Sequence, residues 1–167
     1  MKKIAIQDAN ILIDLVKTGL FGHSLALQYE FITTDIILDE LYSEQIALIQ
    51  PHIKSGKFVV IKISEKELAE IQLLTMEDPR LSEQDWSAFY YAKQKNALLL
   101  TGDKRLRIFC ESKGVIVCGI FWVLDQLVEE NILTKSEACS FIKSLIENNK
   151  RLPAEECRQR TNLWCKR

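Results

Sequence analysis

The chain alternates between short apolar runs and stretches in which apolar residues recur at helical spacing. Residues 3–7 form the first apolar run, and residues 9–18 follow in a helical pattern that ends at Gly19. These patterns predict a strand and then a helix. The remaining patterns predict strands at 31–34, 57–63, 97–100 and 115–118, and helices at 35–45, from 64 to a break at Pro79, and at 82–96, 104–113, 119–130 and 135–149. Strands that alternate with helices favour an α/β fold with a mainly parallel sheet covered on both faces.

The composition is that of an ordinary globular protein. At 167 residues, with 47% hydrophobic and 27% charged residues, the chain fits one domain with a sizeable core. No apolar run approaches the ~20 residues that a membrane span requires, and the stretch before Asp8 is too short for a signal peptide. We therefore expect a cytoplasmic protein with no membrane partner. The five cysteines are odd in number and lack C-x-x-C spacing, so we expect reduced thiols with no chemical role.

The charge is unevenly distributed. The formal net charge of the chain is −1, whereas residues 150–167 contain six Lys or Arg against two Glu. Two interpretations of this basic segment stay open, a contact with phosphates or a solvated terminal segment. Leu163 and Trp164 supply apolar anchors, so we expect a docked appendage rather than a second domain.

Acidic residues lie at the junctions between predicted strands and helices. Asp8 follows the first strand, Asp103 follows the strand at 97–100, and Asp85 lies in the first turn of the helix at 82–96. Each of these residues would also serve as a helix cap or favour the helix dipole, which is the structural alternative. The loops after parallel strands meet at one edge of a sheet, where ligands bind. Carboxylates that meet there repel one another unless a proton or a cation intervenes, and Mg²⁺ or Mn²⁺ suits an all-oxygen site.

Three polar residues extend this acidic set. Asn10 lies two residues after Asp8, and Thr101 lies two residues before Asp103, so an amide and a hydroxyl are available to the carboxylates. Glu40 lies in a predicted helix beside its apolar stripe, and we expect it to point inward. A half-buried glutamate requires a partner or a ligand.

Other candidates for chemistry are weaker. We expect a structural or solvated role for Asp14, and plain surface or core roles for His23 and His52, which lack partners at ligand spacing. The sequence contains no G-x-S-x-G, P-loop or G-x-G-x-x-G motif, so nucleophilic serine or cysteine catalysis has no support. Five aromatic residues follow apolar helical patterns and are expected in the core or at a subunit interface: Phe89, Tyr90, Tyr91, Phe121 and Trp122.

Four segments taken together resemble the PIN domain. They are D-A-N-I-L-I-D from residue 8, D-E-L from residue 39, L-S-E-Q-D-W-S-A from residue 81 and T-G-D-K-R-L-R from residue 101. The resemblance covers about residues 1–125 and implies a Rossmann-like three-layer α/β/α sandwich with an acidic pocket for Mg²⁺ or Mn²⁺. It also implies hydrolysis of RNA phosphodiester bonds. Carried over by motif, the catalytic and metal-binding acids would be Asp8, Glu40, Asp85 and Asp103, with Asn10 and Thr101 in support.

The PIN family includes VapC-like toxin ribonucleases of toxin–antitoxin pairs. A toxin of this kind would have RNA as its substrate and a small antitoxin protein as its partner, and we also expect a homodimer. The cations would bind a phosphate oxygen and a water, lower the pKa of that water and neutralise charge on the phosphate. The PIN-like nuclease domain is expected at residues 1–149, and the basic appendage at 150–167 departs from the typical toxins.

Two rival classes of function stay open. A PIN-like module without activity would bind nucleic acid or protein and cut neither, although the presence of all four acids counts against it. A phosphatase of the haloacid dehalogenase type also begins with an aspartate after its first strand. That class requires a second aspartate two residues later, where this chain has Asn10.

Overall fold

Five parallel strands form the central sheet. The protein is described by a computed structural model that covers residues 1–166. The strands are β1 (Lys3–Gln7), β2 (Tyr29–Thr34), β3 (Phe58–Ile61), β4 (Leu98–Leu100) and β5 (Val117–Cys118). Their order in the sheet is β3-β2-β1-β4-β5, and each neighbouring pair is parallel. The chain therefore builds outward from β1 on one side through β2 and β3, and on the other through β4 and β5.

Helices cover both faces of this sheet. Ala5 and Ile6 are consecutive residues of β1 and are both fully buried, although consecutive strand residues point to opposite faces. The predicted α/β fold with a parallel sheet is confirmed. The helices within residues 1–166 are α1 (Ala9–Thr18), α2 (Phe21–Ser24), α3 (Asp35–Leu38), α4 (Ser43–Lys54), α5 (Glu65–Leu74), α6 (Glu83–Gln94), α7 (Lys104–Ser112), α8 (Ile120–Glu129), α9 (Lys135–Asn148) and α10 (Ala154–Trp164).

Capping residues set the ends of the first helix and the start of α6. The bounds of β1 and α1 are those predicted, because α1 has a strong signal at each end. Asp8 precedes the helix and its side chain accepts a hydrogen bond from the Ala9 N–H. Gly19 ends the helix with a φ of 78°, a left-handed conformation that glycine adopts without steric cost. Helix α6 likewise begins with a capping box, in which Ser82 and Asp85 exchange hydrogen bonds.

The single helix predicted at 35–45 is wrong. The chain forms the four-residue α3, leaves helical structure, and starts again at α4. The Thr34 hydroxyl accepts a hydrogen bond from the Ile37 N–H at the start of α3, and the Gln45 side chain accepts one from the Tyr42 N–H at the start of α4. The chain therefore begins a second helix in this stretch and does not form the single continuous helix that the apolar spacing predicted. Helix α4 then continues through Pro51.

The C-terminal segment is a docked helix. Helix α10 packs against α9, and Trp164 is only 5% exposed, whereas Leu163, the other expected anchor, is 63% exposed. Arg160 bonds to Asp125 at 2.6 Å and to Glu156 at 2.6 Å. Arg158 pairs with Glu155 at 2.6 Å. Carboxylates therefore pair with two of the basic residues in the described part of the segment, and Arg167 lies outside the described residues.

A disulfide bond joins the last two helices. Cys139 of α9 and Cys165, which follows α10, are bonded, with their Cα atoms 5.1 Å apart. The expectation that all five thiols are reduced is therefore wrong. The packing of α10 on α9 brings together two cysteines that are 26 residues apart, and this pairing leaves no local signal in the sequence. Cys110 and Cys157 are free and buried, and Cys118 is free and half-buried.

The apolar aromatics belong mainly to the core. Tyr91 is buried, and Phe89, Tyr90, Phe121 and Trp122 are partly buried and pack against the core. Across residues 1–166, no helix combines the length and the apolar character that a membrane crossing requires.

Candidate functional site

A cavity of about 390 Å³ opens at the carboxyl ends of the strands, and it is lined by all four of the predicted acids. The direction of chain connection reverses between β1 and β4, and ligands bind at such a switch point in open α/β sheets. Asp8 follows β1, Asp103 lies between β4 and α7, Asp85 belongs to the first turn of α6, and Glu40 lies between α3 and α4. We call this space the acidic cavity; its lining residues are Asp8, Ala9, Asn10, Ile13, Glu40, Ser82, Asp85 and Asp103.

Asp8 is the buried member of the acidic cavity, with an exposed fraction of 4%. Its Oδ1 accepts a hydrogen bond from the Ala9 N–H at 2.8 Å. Its Oδ2 accepts one from the Thr101 hydroxyl at 2.7 Å and a longer one from the Asn10 amide at 3.3 Å. These bonds fix the orientation of the carboxylate.

Asn10 and Thr101 connect the loop after β4 to the loop after β1. The Asn10 Oδ1 accepts a hydrogen bond from the Gly102 N–H at 2.8 Å, and the Thr101 Oγ1 accepts one from the Asp103 N–H at 3.1 Å. Thr101 is fully buried, so its hydroxyl bonds form away from competing water. The structure thus places both predicted supporting residues between Asp8 and Asp103.

Asp85 and Asp103 each cap a helix and line the cavity at the same time. The Asp85 Oδ2 accepts a hydrogen bond from the Ser82 N–H at 2.9 Å, and the Asp103 Oδ1 accepts one from the Leu106 N–H at 2.8 Å. Each carboxylate commits one oxygen to a cap, and its second oxygen makes no hydrogen bond to a described residue. The cap and the site, which the sequence presented as alternatives, therefore coexist.

Glu40 reaches the cavity by a different route from the one expected. It lies in the turn after α3, outside any helix, and its side chain is exposed rather than directed into the core. The expected inward orientation is wrong, because the helix predicted around it stops at Leu38. Its carboxylate makes no hydrogen bond to any residue in 1–166. It nevertheless faces the acidic cavity.

Burial and neighbouring carboxylates raise the pKa values of Asp8, Glu40 and Asp85. Burial raises the pKa of Asp8 to about 6; the Thr101 hydroxyl opposes this rise, and the charges of Asp85 and Glu40 add to it. Partial desolvation at the cavity and the charge of Asp85 raise the pKa of Glu40. Burial also raises the pKa of Asp85, with a contribution from Asp103, while the bonds from Ser82 and the charge of Arg105 oppose the rise. A group of acids whose pKa values rise together is one that a cation would stabilise in its ionised form.

The other candidates lie away from the cavity. Asp14 is buried, and its Oδ2 accepts a hydrogen bond from the Asn149 amide at 2.9 Å, which ties α1 to the end of α9. His23 and His52 make edge contacts with the rings of Phe141 and Phe21. These three residues have structural surroundings, as the sequence suggested.

The fold and the acidic cavity can now be compared with known proteins. A family model described as PIN domain matches residues 4–165. The chain belongs to the PIN domain family. The match includes α10, which we had expected to lie outside the core of the family. No curated protein matches the chain.

Solved structures are similar to this PIN domain in fold. One is a PilT N-terminus domain protein, SSO1118, from the hyperthermophilic archaeon Sulfolobus solfataricus P2, with a TM-score of 0.44 and 17% identity over 75% of this chain and 94% of that chain. Another is the crystal structure of PAE2754 from Pyrobaculum aerophilum, with a TM-score of 0.50 and 18% identity over 77% of this chain and 99% of that chain. At 18% identity the likeness to PAE2754 concerns the fold alone.

The donor set of this PIN domain suits a hard divalent cation. The acidic cavity offers carboxylate, amide and hydroxyl oxygens, and no histidine or cysteine lines it. In the described part of the chain, however, no three His, Cys, Asp or Glu side chains are grouped closely enough to hold a metal as they stand. A cation would therefore require the free oxygens of the acids to turn toward a common centre. Ser82, whose side chain caps α6, also lines the cavity.

Proposed function

We propose that this PIN domain is a metal-dependent ribonuclease that hydrolyses RNA phosphodiester bonds with Mg²⁺ or Mn²⁺. The observation that carries the proposal is the convergence of four acids, from four separate segments of the chain, on one cavity at the carboxyl ends of the strands. Nucleases are typical of the PIN fold. An acidic cavity repels an RNA phosphate unless a cation lies between them, so the proposed activity depends on metal.

The residues of the acidic cavity would have three roles: to bind the cation, to orient the attacking water and to position Asp8. Asp8, Asp85 and Asp103 would hold the cation, because the bonds to each leave its carboxylate in a defined position. When bound, the cation supplies a water of lowered pKa and neutralises charge on the phosphate. Glu40 makes no hydrogen bond to a described residue, and its pKa is raised, so its carboxylate would orient the attacking water and accept a proton from it. Asn10 and Thr101 would keep Asp8 in place.

Asn10 also weighs against the phosphatase alternative. That class requires a second aspartate at this position, and here the side chain is an amide that bonds to both Asp8 and the Gly102 N–H. The inactive binding module has more support than the phosphatase. Within residues 1–166, no three acidic side chains are close enough to hold a metal ion as they stand. We keep the inactive module as the second candidate.

The test is cleavage of a labelled RNA with EDTA, Mg²⁺ or Mn²⁺. We expect cleavage with either metal and none with EDTA. Asp8→Asn and Asp103→Asn should each lower the rate by about 100-fold or more, the scale seen when a group that stabilises transition-state charge is removed. Asp14→Asn and His23→Ala are the controls and should cleave at the wild-type rate. Undiminished cleavage in EDTA would refute metal dependence, and binding without cleavage under every condition would favour the inactive module. Hydrolysis of p-nitrophenyl phosphate instead of RNA would favour a phosphatase.

We extend the proposal to a VapC-like toxin that is paired with a small antitoxin protein and assembles as a homodimer in the cytoplasm. Exposed apolar side chains at the start of α4 and within it, Tyr42 and Leu48, would suit a contact between subunits. Expression of the chain should then arrest growth, and co-expression of a neighbouring small gene should relieve the arrest. Light scattering of the purified protein measures its oligomeric state.

A further inference from the structure

A second cavity adjoins the acidic cavity and has the opposite charge. It measures about 510 Å³ and lies between α7 and the segment that leads into α6. We call it the basic cavity; its lining residues are Asp78, Arg80, Lys104, Arg105, Ile108, Phe109 and Ser112. Its volume falls within the range of ordinary small-ligand sites.

The positive charge of the basic cavity is only partly neutralised. Asp78 is its one carboxylate, and it is held by the Arg80 guanidinium through bonds of 2.8 and 2.7 Å. Lys104 and Arg105 are exposed and pair with no carboxylate among the described residues. Arg105 donates to the Arg80 carbonyl oxygen at 3.4 Å, which holds its side chain over the cavity. Two cations are therefore available to a phosphate.

The floor of the basic cavity is apolar. Ile108 is 58% exposed, and its neighbour Phe109 is half-buried against Trp86, with ring centroids 4.9 Å apart. Lys113 lies over the Phe109 ring at 5.6 Å. A surface that combines cations with an apolar or aromatic patch matches a nucleotide, which offers a phosphate and the flat face of a base. An acidic peptide would leave this patch without a partner.

The two cavities are lined by neighbouring residues of the chain at two places. Asp103 lines the acidic cavity and the next residue, Lys104, lines the basic one. Ser82 lines the acidic cavity, and Arg80, two residues before it, lines the basic one. Consecutive Cα atoms lie only about 3.8 Å apart, so the two cavities are close neighbours in the fold. The charge of Arg105 in the basic cavity also acts on Asp85 in the acidic one. A strand that places one phosphate in the acidic cavity would thus bring its neighbouring nucleotide to the basic cavity.

We propose that the basic cavity binds the nucleotide next to the cleaved bond in a single-stranded RNA, with Lys104 and Arg105 on its phosphate and Ile108 and Phe109 against its base. The inference rests on the proposed function, because it takes the acidic cavity as the place of cleavage. The basic cavity also supplies a local attraction to RNA, because the net charge of −1 gives the chain no general attraction to it. The basic cavity would set the affinity for the strand and its direction across the site.

The test measures binding separately from cleavage. The anisotropy of a labelled single-stranded RNA is followed in EDTA, where the proposed cleavage does not occur, over a series of salt concentrations. The double variant Lys104→Gln/Arg105→Gln should weaken binding about tenfold or more, and each lost phosphate contact should reduce the slope of log affinity against log salt by about 0.7. Ile108→Ala should weaken binding about threefold and leave the slope unchanged, since no charge is lost.

The matched control is Lys54→Gln/Lys57→Gln. It removes the same charge from exposed residues before β3, at the opposite edge of the sheet, and should bind like the wild type. An equal loss of RNA affinity in both double variants would mean that net charge alone explains the effect, and would overturn the proposal. Tighter binding of the same strand as DNA, or of a glutamate-rich peptide, than of the RNA would also overturn it. If RNA is cleaved but the Lys104/Arg105 variant binds normally, the basic cavity is refuted and the ribonuclease stands. If no RNA is cleaved but binding depends on these two residues, the cavity stands and the ribonuclease fails.

Discussion

Replacing Asp8 with asparagine should stabilise the metal-free protein at neutral pH and have no such effect in acid. Burial and neighbouring acids raise the pKa of Asp8 from 3.8 to about 6 in the folded protein. The folded state thus binds the proton more tightly than the unfolded state does. The stability that this tighter binding contributes is fully present below pH 3.8 and is lost as the pH rises through 6.

The size of the effect follows from the pKa difference. A shift of about 2 units corresponds to about 3 kcal/mol between the two protonation states, and this is the upper limit of the loss between pH 4 and pH 7. Asparagine does not titrate, so the variant avoids this loss. It gives up part of the bonding to Thr101, Asn10 and the Ala9 N–H, which costs about 1 kcal/mol at every pH. We expect the variant to be slightly less stable than the wild type at pH 4 and about 1–2 kcal/mol more stable at pH 8.

The assay is urea unfolding in EDTA from pH 4 to pH 8, followed by the fluorescence of the three tryptophans. Asp39→Asn is the control, because Asp39 is exposed and makes no side-chain hydrogen bond to a described residue. Its free energy of unfolding should stay within about 0.5 kcal/mol of the wild type throughout. If the difference between Asp8→Asn and the wild type is the same at pH 4 and pH 8, Asp8 carries no cost of buried charge and the reasoning about the cavity is refuted.

Three further predictions concern the cavity and the C-terminal helix. Mn²⁺ should raise the melting temperature of the wild type, and Asp103→Asn should be at least as stable as the wild type in EDTA but respond less to Mn²⁺; a full response would leave Asp103 as a helix cap only. Thr101→Val should lower cleavage by about tenfold while Thr101→Ser retains it, because the hydroxyl orients Asp8; equal rates in both variants would refute this role. Trp164→Ala should destabilise the fold by about 3 kcal/mol in urea unfolding, whereas Leu163→Ala should cost less than about 0.5 kcal/mol; equal losses would contradict the docking of α10 through Trp164.

The parts of the fold that could be predicted are those with local signals. Asp8 and Gly19 mark the ends of α1 in the sequence, and Ser82 with Asp85 marks the start of α6. The convergence of the acids could also be predicted, because parallel strands bring the loops that follow them to one edge.

The parts that could not be predicted depend on residues that are distant in sequence or on competing local signals. Nothing in the spacing of apolar residues reveals that Gln45 restarts a helix beyond Glu40. The basic cavity joins residues near Arg80 to α7, and neither segment alone indicates a binding surface. The apolar pattern gave Leu163 and Trp164 the same weight, and only the packing of α10 on α9 separates the buried side chain from the exposed one.

The disulfide between Cys139 and Cys165 makes the end of this protein a closed covalent ring. The ring includes the exposed connection at Lys150 and Arg151, where trypsin can cut. A cut there would divide the backbone but release nothing, so the nicked protein would migrate as one species without reducing agent and as two with it. Helix α10 would stay attached through Cys165, directly after its last residue, because its link to the domain no longer depends on the backbone that leads into it.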